Sequence, residues 1–401
     1  MDNRNGGSQN GPVRIAHWGL LAGRGGVEVL VMGLYSHMDR NKVQFDFLAE
    51  HDAPRMAFED DIERMGGRVF RIMYSRHDSP TKAGTCVRDF LREHPEIRGI
   101  HVHTNFPYVE PLKQAAQVGL PLRILHSHNA GVQNDDHGNM LHQLIRKMRD
   151  TQIRHDIGRY PTHYFACSSL AAQYMFPGRP YTWIRNGIET DRFAYAEQTR
   201  ERVRRELGLD DDTTAIGFCG RLRPQKNPVF LIDVFQRYLS LNPKSVLLIV
   251  GDGELRDDVA ARVAKYGIAD RVRFLGGERN DVNELYQAMD AFVLPSIFEG
   301  FGIVYLEAQC AGLPCLASAD VVPKDVKVTD LLEFVSLQQD PDRWAHALDD
   351  RIRAVGPRRD HSEELRDAGF ELADVAHRLQ DFYLSHTGEE TSEISKERNA
   401  R

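Results

Sequence analysis

The sequence predicts an α/β protein made of two doubly wound parallel sheets. Three observations carry this. Apolar runs of strand length alternate with stretches of helical periodicity along most of the chain, the pattern of successive βα units. The alternation restarts near Asp191, and 401 residues suffice for two domains. Glycine-rich turns follow several strand-like runs, where open α/β sheets bind ligands.

Residues 1–12 are polar and rich in Gly and Asn, and they read as a disordered tail without a signal peptide. The first domain is expected over 13–190. Its strand-like runs are 13–17, 44–49, 68–72, 99–103, 122–126, 164–167 and 181–185. Val27, Leu30, Val31, Leu34 and Tyr35 recur at helical spacing after the first run, and further helices are expected at 60–65, 87–93 and 108–118. Leu141, Leu144, Ile145 and Met148 form an apolar stripe beside Arg146, Lys147, Arg149 and Arg154. This is either a solvated surface helix or a contact with anionic lipid or a lipid diphosphate. The second domain is expected over 191–365, with strands at 215–219, 246–250, 272–275, 291–296 and 313–317 and helices at 229–239 and 282–289. An amphipathic helix runs from roughly 362 to 384, its 366–384 part returning to the first domain, and 385–401 reads as a second disordered tail.

The 41% hydrophobic and 27% charged content is ordinary for a globular protein, and a formal charge of −7 argues against generic nucleic-acid binding. No run reaches the length of a membrane span, so any membrane contact is expected from the surface. The scattered cysteines 86, 167, 219, 310 and 315 fit buried thiols in a reduced compartment and do not space as a zinc site.

The segment Glu299-Gly300-Phe301-Gly302-Ile303-Val304-Tyr305-Leu306-Glu307 is the most informative. A strand-like run precedes a Gly-x-Gly turn that leads into a helix, with a carboxylate on each side. Glycines let backbone N–H groups approach a ligand, a helix N-terminus favours an anion, and carboxylates accept from sugar hydroxyls. The ligand expected is part phosphate and part sugar. The plainer alternatives are that Glu299 caps the helix and Glu307 faces solvent. A glycosidase-type nucleophile–acid pair is disfavoured, because both carboxylates come from one contiguous segment.

Gly220-Arg221 and Lys226 follow another strand, where a guanidinium fork and an ammonium can clamp a diphosphate. Gly25-Gly26 after the first strand lacks the spacing of a dinucleotide fingerprint but can still offer N–H groups to a phosphate. His126-Ser127-His128-Asn129 sits at a strand end, which raises a functional reading over a structural one. His101 and His103 alternate on a strand and are expected to pack. Asp210-Asp211-Asp212 reads as a solvated turn, not a metal site.

From about residue 14 to 384 the chain resembles a retaining GT-B glycosyltransferase of family 4, of the bacterial exopolysaccharide and capsule type. The matching residues are Gly25-Gly26-Val27-Glu28, Lys42-Val43-Gln44-Phe45-Asp46-Phe47, His126-Ser127-His128-Asn129, Asn186-Gly187-Ile188, Gly220-Arg221 with Lys226, Gly251-Asp252-Gly253 and the Glu299/Glu307 pair. The resemblance implies two facing Rossmann-like domains, the last helix crossing back to the first. It implies transfer of a hexose or N-acetylhexosamine, with retention, from a nucleotide-diphosphate sugar with uridine the expected base. The implied acceptor is a saccharide, on a polyprenyl diphosphate in cell-surface polysaccharide assembly, and the implied location is cytoplasmic, at the inner face of the membrane. Arg221 and Lys226 would bind the donor diphosphate, Glu299 the donor sugar, Glu307 the ribose, and His128 would lie at the reacting centre. Gly25, Gly26, Gly220 and the backbone of Phe301, Gly302 and Ile303 would line the donor. Gly277 and Glu278 would fall in the base-contacting loop. Neither a cofactor nor a metal is expected. Arg24, before Gly25, departs from the pattern, and its role is open.

A sugar-nucleotide epimerase, a phosphorylase or a non-catalytic sugar-nucleotide-binding partner would share the architecture. A phosphorylase needs a lysine-bound pyridoxal phosphate, for which no clear lysine stands out, and a dehydrogenase needs a glycine fingerprint that is missing.

Overall fold

The computed structural model describes residues 11–72, 80–131, 150–277, 279–319 and 321–387, and side chains within the first helix turns at 80–84 are left aside. Glu278, the 141–149 stripe with Arg146, Lys147 and Arg149, and most of both tails lie outside the described residues.

The chain divides into two compact units. The first comprises residues 1–167, 171–184 and 373–401, and the second 168–170 and 185–372. Each is a Rossmann-like parallel sheet with helices between its strands.

In the first unit the strands are β1 (Val13–Trp18), β2 (Val43–Glu50), β3 (Arg68–Ile72), β4 (Ile97–Thr104), β5 (Leu122–Ser127), β6 (His163–Ala166) and β7 (Thr182–Trp183). They order as β3-β2-β1-β4-β5-β6-β7, every pairing parallel. The order reverses direction between β1 and β4, the topological switch point where such sheets open a crevice at their carboxyl ends. Strands buried on both faces read as continuous apolar runs. β2 departs from that rule by burying Asp46 completely. Its carboxylate accepts from Arg14 Nε at 2.8 Å and from Arg68 Nε at 2.9 Å, among four guanidinium bonds that tie β1, β2 and β3 together.

The second unit holds β8 (Thr214–Cys219), β9 (Ser245–Val250), β10 (Val272–Phe274), β11 (Ala291–Leu294), β12 (Cys315–Ser318) and β13 (Leu332–Val335), ordered β10-β9-β8-β11-β12-β13. Its switch point lies between β8 and β11. β9 is buried along its whole length.

The single amphipathic helix expected from 362 to 384 is two helices, Ser362–Asp367 and Leu372–Thr387. Gly369 separates them at φ +81°, a left-handed conformation that stops the first helix. The second helix therefore begins at Leu372, later than the expected 366. From Ala373 it belongs to the first unit, where Val375, Ala376, Leu379 and Tyr383 are buried and Gln380 Oε1 accepts the Asp39 N–H at 2.7 Å.

Candidate active site

The loops that leave β8 and β11 flank the second switch point, and they carry Lys226 and Glu299. The β8 loop runs through Gly220 and Arg221 into a 3-10 turn, Pro224–Lys226, ended by Asn227 at φ +53°. That turn docks on the β11 loop: Ile297 N–H donates to Gln225 O at 2.7 Å, and Gln225 Nε2 donates to Phe298 O at 3.1 Å. The docking sets Lys226 Nζ 2.5 Å from Glu299 Oε1, and Ser296 Oγ donates to the same oxygen at 2.6 Å. Glu299 is buried, 4% exposed, so its charge is held by an ammonium and a hydroxyl instead of water. Lys226 carries the charge-assisted bond while presenting its stem along Gly220, with Cε 3.7 Å from where a Cβ there would lie.

Glycine is required around this loop for a steric reason. A Cβ on Gly251, at φ +148°, would stand 1.9 Å from the Gly220 carbonyl oxygen, and one on Gly277 would stand 2.9 Å from the Asp252 nitrogen. The loops after β8, β9 and β10 are thus packed backbone to backbone. Arg221 is exposed on the same loop.

The helix Ile303–Cys310 follows, with Gly302 as its N-cap at φ +91° and no side-chain cap. The capping alternative for Glu299 is therefore overturned: its carboxylate is directed to Lys226 and Ser296. The Tyr305 N–H donates to the Gly302 carbonyl at 3.0 Å, so the N–H groups of Ile303 and Val304 form the anion-favouring end of the helix. The Phe301 ring is buried, its centroid 5.8 Å from that of Phe370. Glu307 lies on the same helix and does not simply face solvent. Its Oε2 accepts from Tyr286 Oη at 2.9 Å, and burial of the carboxyl pushes its pKa up to about 7 against the partial relief of that bond.

The remaining expected residues belong to the first unit. Gly25 caps the helix Gly26–Ser36, and Gly26 has open space where a Cβ would stand. Glu28 folds back on this turn, accepting the Leu21 N–H at 2.7 Å. Arg24 lies over the Phe58 ring at 5.0 Å. His128 is buried just past β5, with Nε2 2.9 Å from His103 Nδ1. It belongs to a cluster of five buried imidazoles in the first unit, with His17, His101, His103 and His126. His101 and His103, expected to pack, do pack, but against other histidines. The sequence reading missed His17, which lies 86 residues before His103 and meets it through strand pairing. It also missed Ser296 and Tyr286, which orient the two glutamates; their only signal was position, at a strand end and on a helix facing the motif. The Asp210–Asp212 turn is solvated, with Asp212 paired to Lys244.

Anabaena Alr3699/HepE, solved in complex with UDP and glucose, superposes with a TM-score of 0.66 at 17% identity, covering 98% of this chain and 100% of that one. Fold and relatives together place the protein among the glycosyltransferases of GT-B fold. EpsF of Bacillus subtilis (strain 168), designated a glycosyltransferase, is 30% identical over 358 residues, 88% of this chain and 91% of that protein. The UDP-Gal:alpha-D-GlcNAc-diphosphoundecaprenol alpha-1,3-galactosyltransferase of Escherichia coli is 30% identical over 207 residues, 50% of this chain and 53% of that enzyme. Residues 199–366 match the family described as Glycosyl transferases group 1, and the chain belongs to that family. Among the described residues, no helix is long and apolar enough to cross a membrane.

Proposed function

We propose that this glycosyltransferase moves a hexose or N-acetylhexosamine from a UDP-sugar to a saccharide acceptor carried on a polyprenyl diphosphate, with retention at the anomeric carbon. The reading places it in exopolysaccharide or capsule assembly, in the cytoplasm at the inner face of the membrane. The observation that carries it is the Lys226–Glu299 pair on the two loops flanking the second switch point. A sugar diphosphate needs a cation and a hydroxyl acceptor side by side, and this pair supplies both. The UDP-bound structural neighbour and the diphosphoundecaprenol-linked substrate in one relative's name agree with the donor and acceptor classes.

In this mechanism the bond between the anomeric carbon and the diphosphate oxygen breaks as the acceptor oxygen bonds to the same face of that carbon. The acceptor proton passes to the departing phosphate oxygen. Negative charge grows on the diphosphate, so Arg221, Lys226 and the N–H groups of Phe301, Gly302 and Ile303 matter most in the transition state. These charges belong to the chain, and the transfer step as proposed needs no metal or cofactor. Glu299 holds sugar hydroxyls and Glu307 the ribose. Gly220 and Gly277 keep the loop backbones close. Gly25, Gly26 and His128 of the first unit keep the donor-contact roles that the family resemblance implies.

The test is UDP release from a panel of UDP-sugars with and without a polyprenyl-diphosphate saccharide. Acceptor-dependent release is expected, and Lys226→Ala should lower it on the order of a hundredfold or more with the melting temperature nearly unchanged. Release indifferent to the acceptor, or normal turnover in a folded Lys226→Ala chain, overturns the reading.

A further inference from the structure

We propose that His103, His126 and His128 form a binding site for a divalent d-block cation of the Zn2+ class, distinct in its residues from the Lys226–Glu299 pair and sharing His128 with the donor contact proposed above. The site follows from strand register. β4 and β5 pair in parallel with His103 opposite His126. Alternate residues of a strand share a face, so His103 and His126 project on one side of the sheet and His128, two residues past His126, continues that side. One ring nitrogen from each lies within 4.8 Å of the others, and all three are buried.

Hydrogen bonding leaves a place for the ion. His126 Nδ1 is 3.0 Å from His101 Nε2, and His101 Nδ1 is 2.6 Å from Tyr383 Oη. With His126 donating from Nδ1 and His101 donating to the tyrosine, both rings are neutral and His126 Nε2 is a lone pair. That nitrogen is buried and has no hydrogen-bond partner. A buried polar atom without a partner is costly, and coordination satisfies it. The Tyr383–His101–His126 chain is also the outer support that fixes the tautomer of a metal-bound imidazole.

His103 Nδ1 and His128 Nε2 stand 2.9 Å apart. A tetrahedral ion with bonds of ~2.0–2.1 Å spaces its ligands by roughly 3.3–3.4 Å. A shift of a few tenths of an ångström therefore exchanges the hydrogen bond for two metal bonds. No proton need leave: with His17 carrying its proton at Nε2, His103 moves its own to its Nε2, which lies 2.9 Å from His17 Nδ1 and donates to it, and His128 carries its own at Nδ1. Three nitrogens without carboxylates suit Zn2+, Co2+, Ni2+ or Cu2+ and not Mg2+ or Ca2+. His128, at 9% the most exposed of the five, marks the side from which an ion enters.

The test uses the full chain, stripped with a chelator and titrated with Co2+ and then Zn2+. One ion per chain is expected, with visible bands of nitrogen-ligated Co2+ that Zn2+ abolishes. X-ray absorption of the Zn2+-loaded wild-type chain should count three imidazoles and needs no variant. His128→Gln and His126→Gln, checked for folding by circular dichroism, should bind at least about tenfold more weakly, while the exposed His346→Gln should bind as wild type. Absence of stoichiometric binding, a zinc shell with fewer than three imidazoles, or unchanged affinity in a folded His128→Gln chain overturns the proposal. None of these readouts depends on sugar transfer, so their failure leaves the transferase reading untouched.

Discussion

Glu307 shows how one side chain links the site to stability. Its carboxyl has an unfolded value of 4.5 and a native value of about 7, raised by burial. The native chain therefore keeps a proton that the unfolded chain loses between those two pH values. The contribution of this one group to stability is fullest below pH 4.5, falls as pH rises to about 7, and is flat above. Allowing for the part of the side chain still open to solvent, the loss is on the order of 1–2 kcal/mol. Glu307→Gln cannot ionise. It should match wild type near pH 4 and melt higher near pH 8, and on the proposed ribose contact UDP affinity should fall with the loss of an ionised acceptor. Melting curves across pH, paired with calorimetry for UDP, check both halves. A variant that melts lower than wild type at pH 8 contradicts the burial argument.

Elements were legible in proportion to how local their signals are. The parallel strands announced themselves as apolar runs closed by glycine turns, and the loops after β8 and β11 were found from Lys226 and the Glu299–Glu307 motif alone. β13 and the helix Pro341–Ala354 were not anticipated, although Trp344 on that helix is fully buried. Their pattern is short or dominated by charge, and only packing on β12 and the helix Pro228–Leu241 defines them. The histidine cluster was illegible for a different reason: His17, His103 and His126 become neighbours through strand order, which no spacing along the chain encodes. Asp46 belongs to the same class. As one acidic residue in an apolar strand it gave no sign of joining three strands, yet it is fully buried between Arg14 and Arg68. Removing Asp46 strips charge-assisted bonds that contribute about 1.5–3 kcal/mol each from two partly solvated guanidiniums. Asp46→Ala should lose about that much in chemical denaturation, more than Asp212→Ala at the exposed pair with Lys244, where solvent screens the interaction. Equal losses would mean that the buried triad stabilises nothing.

At the scale of the molecule, the chain enters the first unit, builds the second, and returns to the first with its last helix. That return makes the first fold depend on a helix that follows the whole second unit in sequence. Leu379 and Val375 are 3% exposed and Ala376 and Tyr383 are fully buried, with Tyr383 also bonded to His101. Large buried side chains cost about 2–5 kcal/mol each when deleted, so losing this helix removes an amount comparable with the whole 5–15 kcal/mol that holds a typical domain folded. The second unit keeps its entire sheet, both switch-point loops and the Lys226–Glu299 pair without it. A chain ending at Leu372 should therefore lose amide protection across β1, β2, β4 and β5 while β8, β9 and β11 stay protected. Hydrogen exchange reads the two sheets separately in one sample. Retained protection in β4 and β5 of the truncated chain would show that the first sheet closes its core without the returning helix, and equal loss in β8 and β9 would show that the two units do not fold independently.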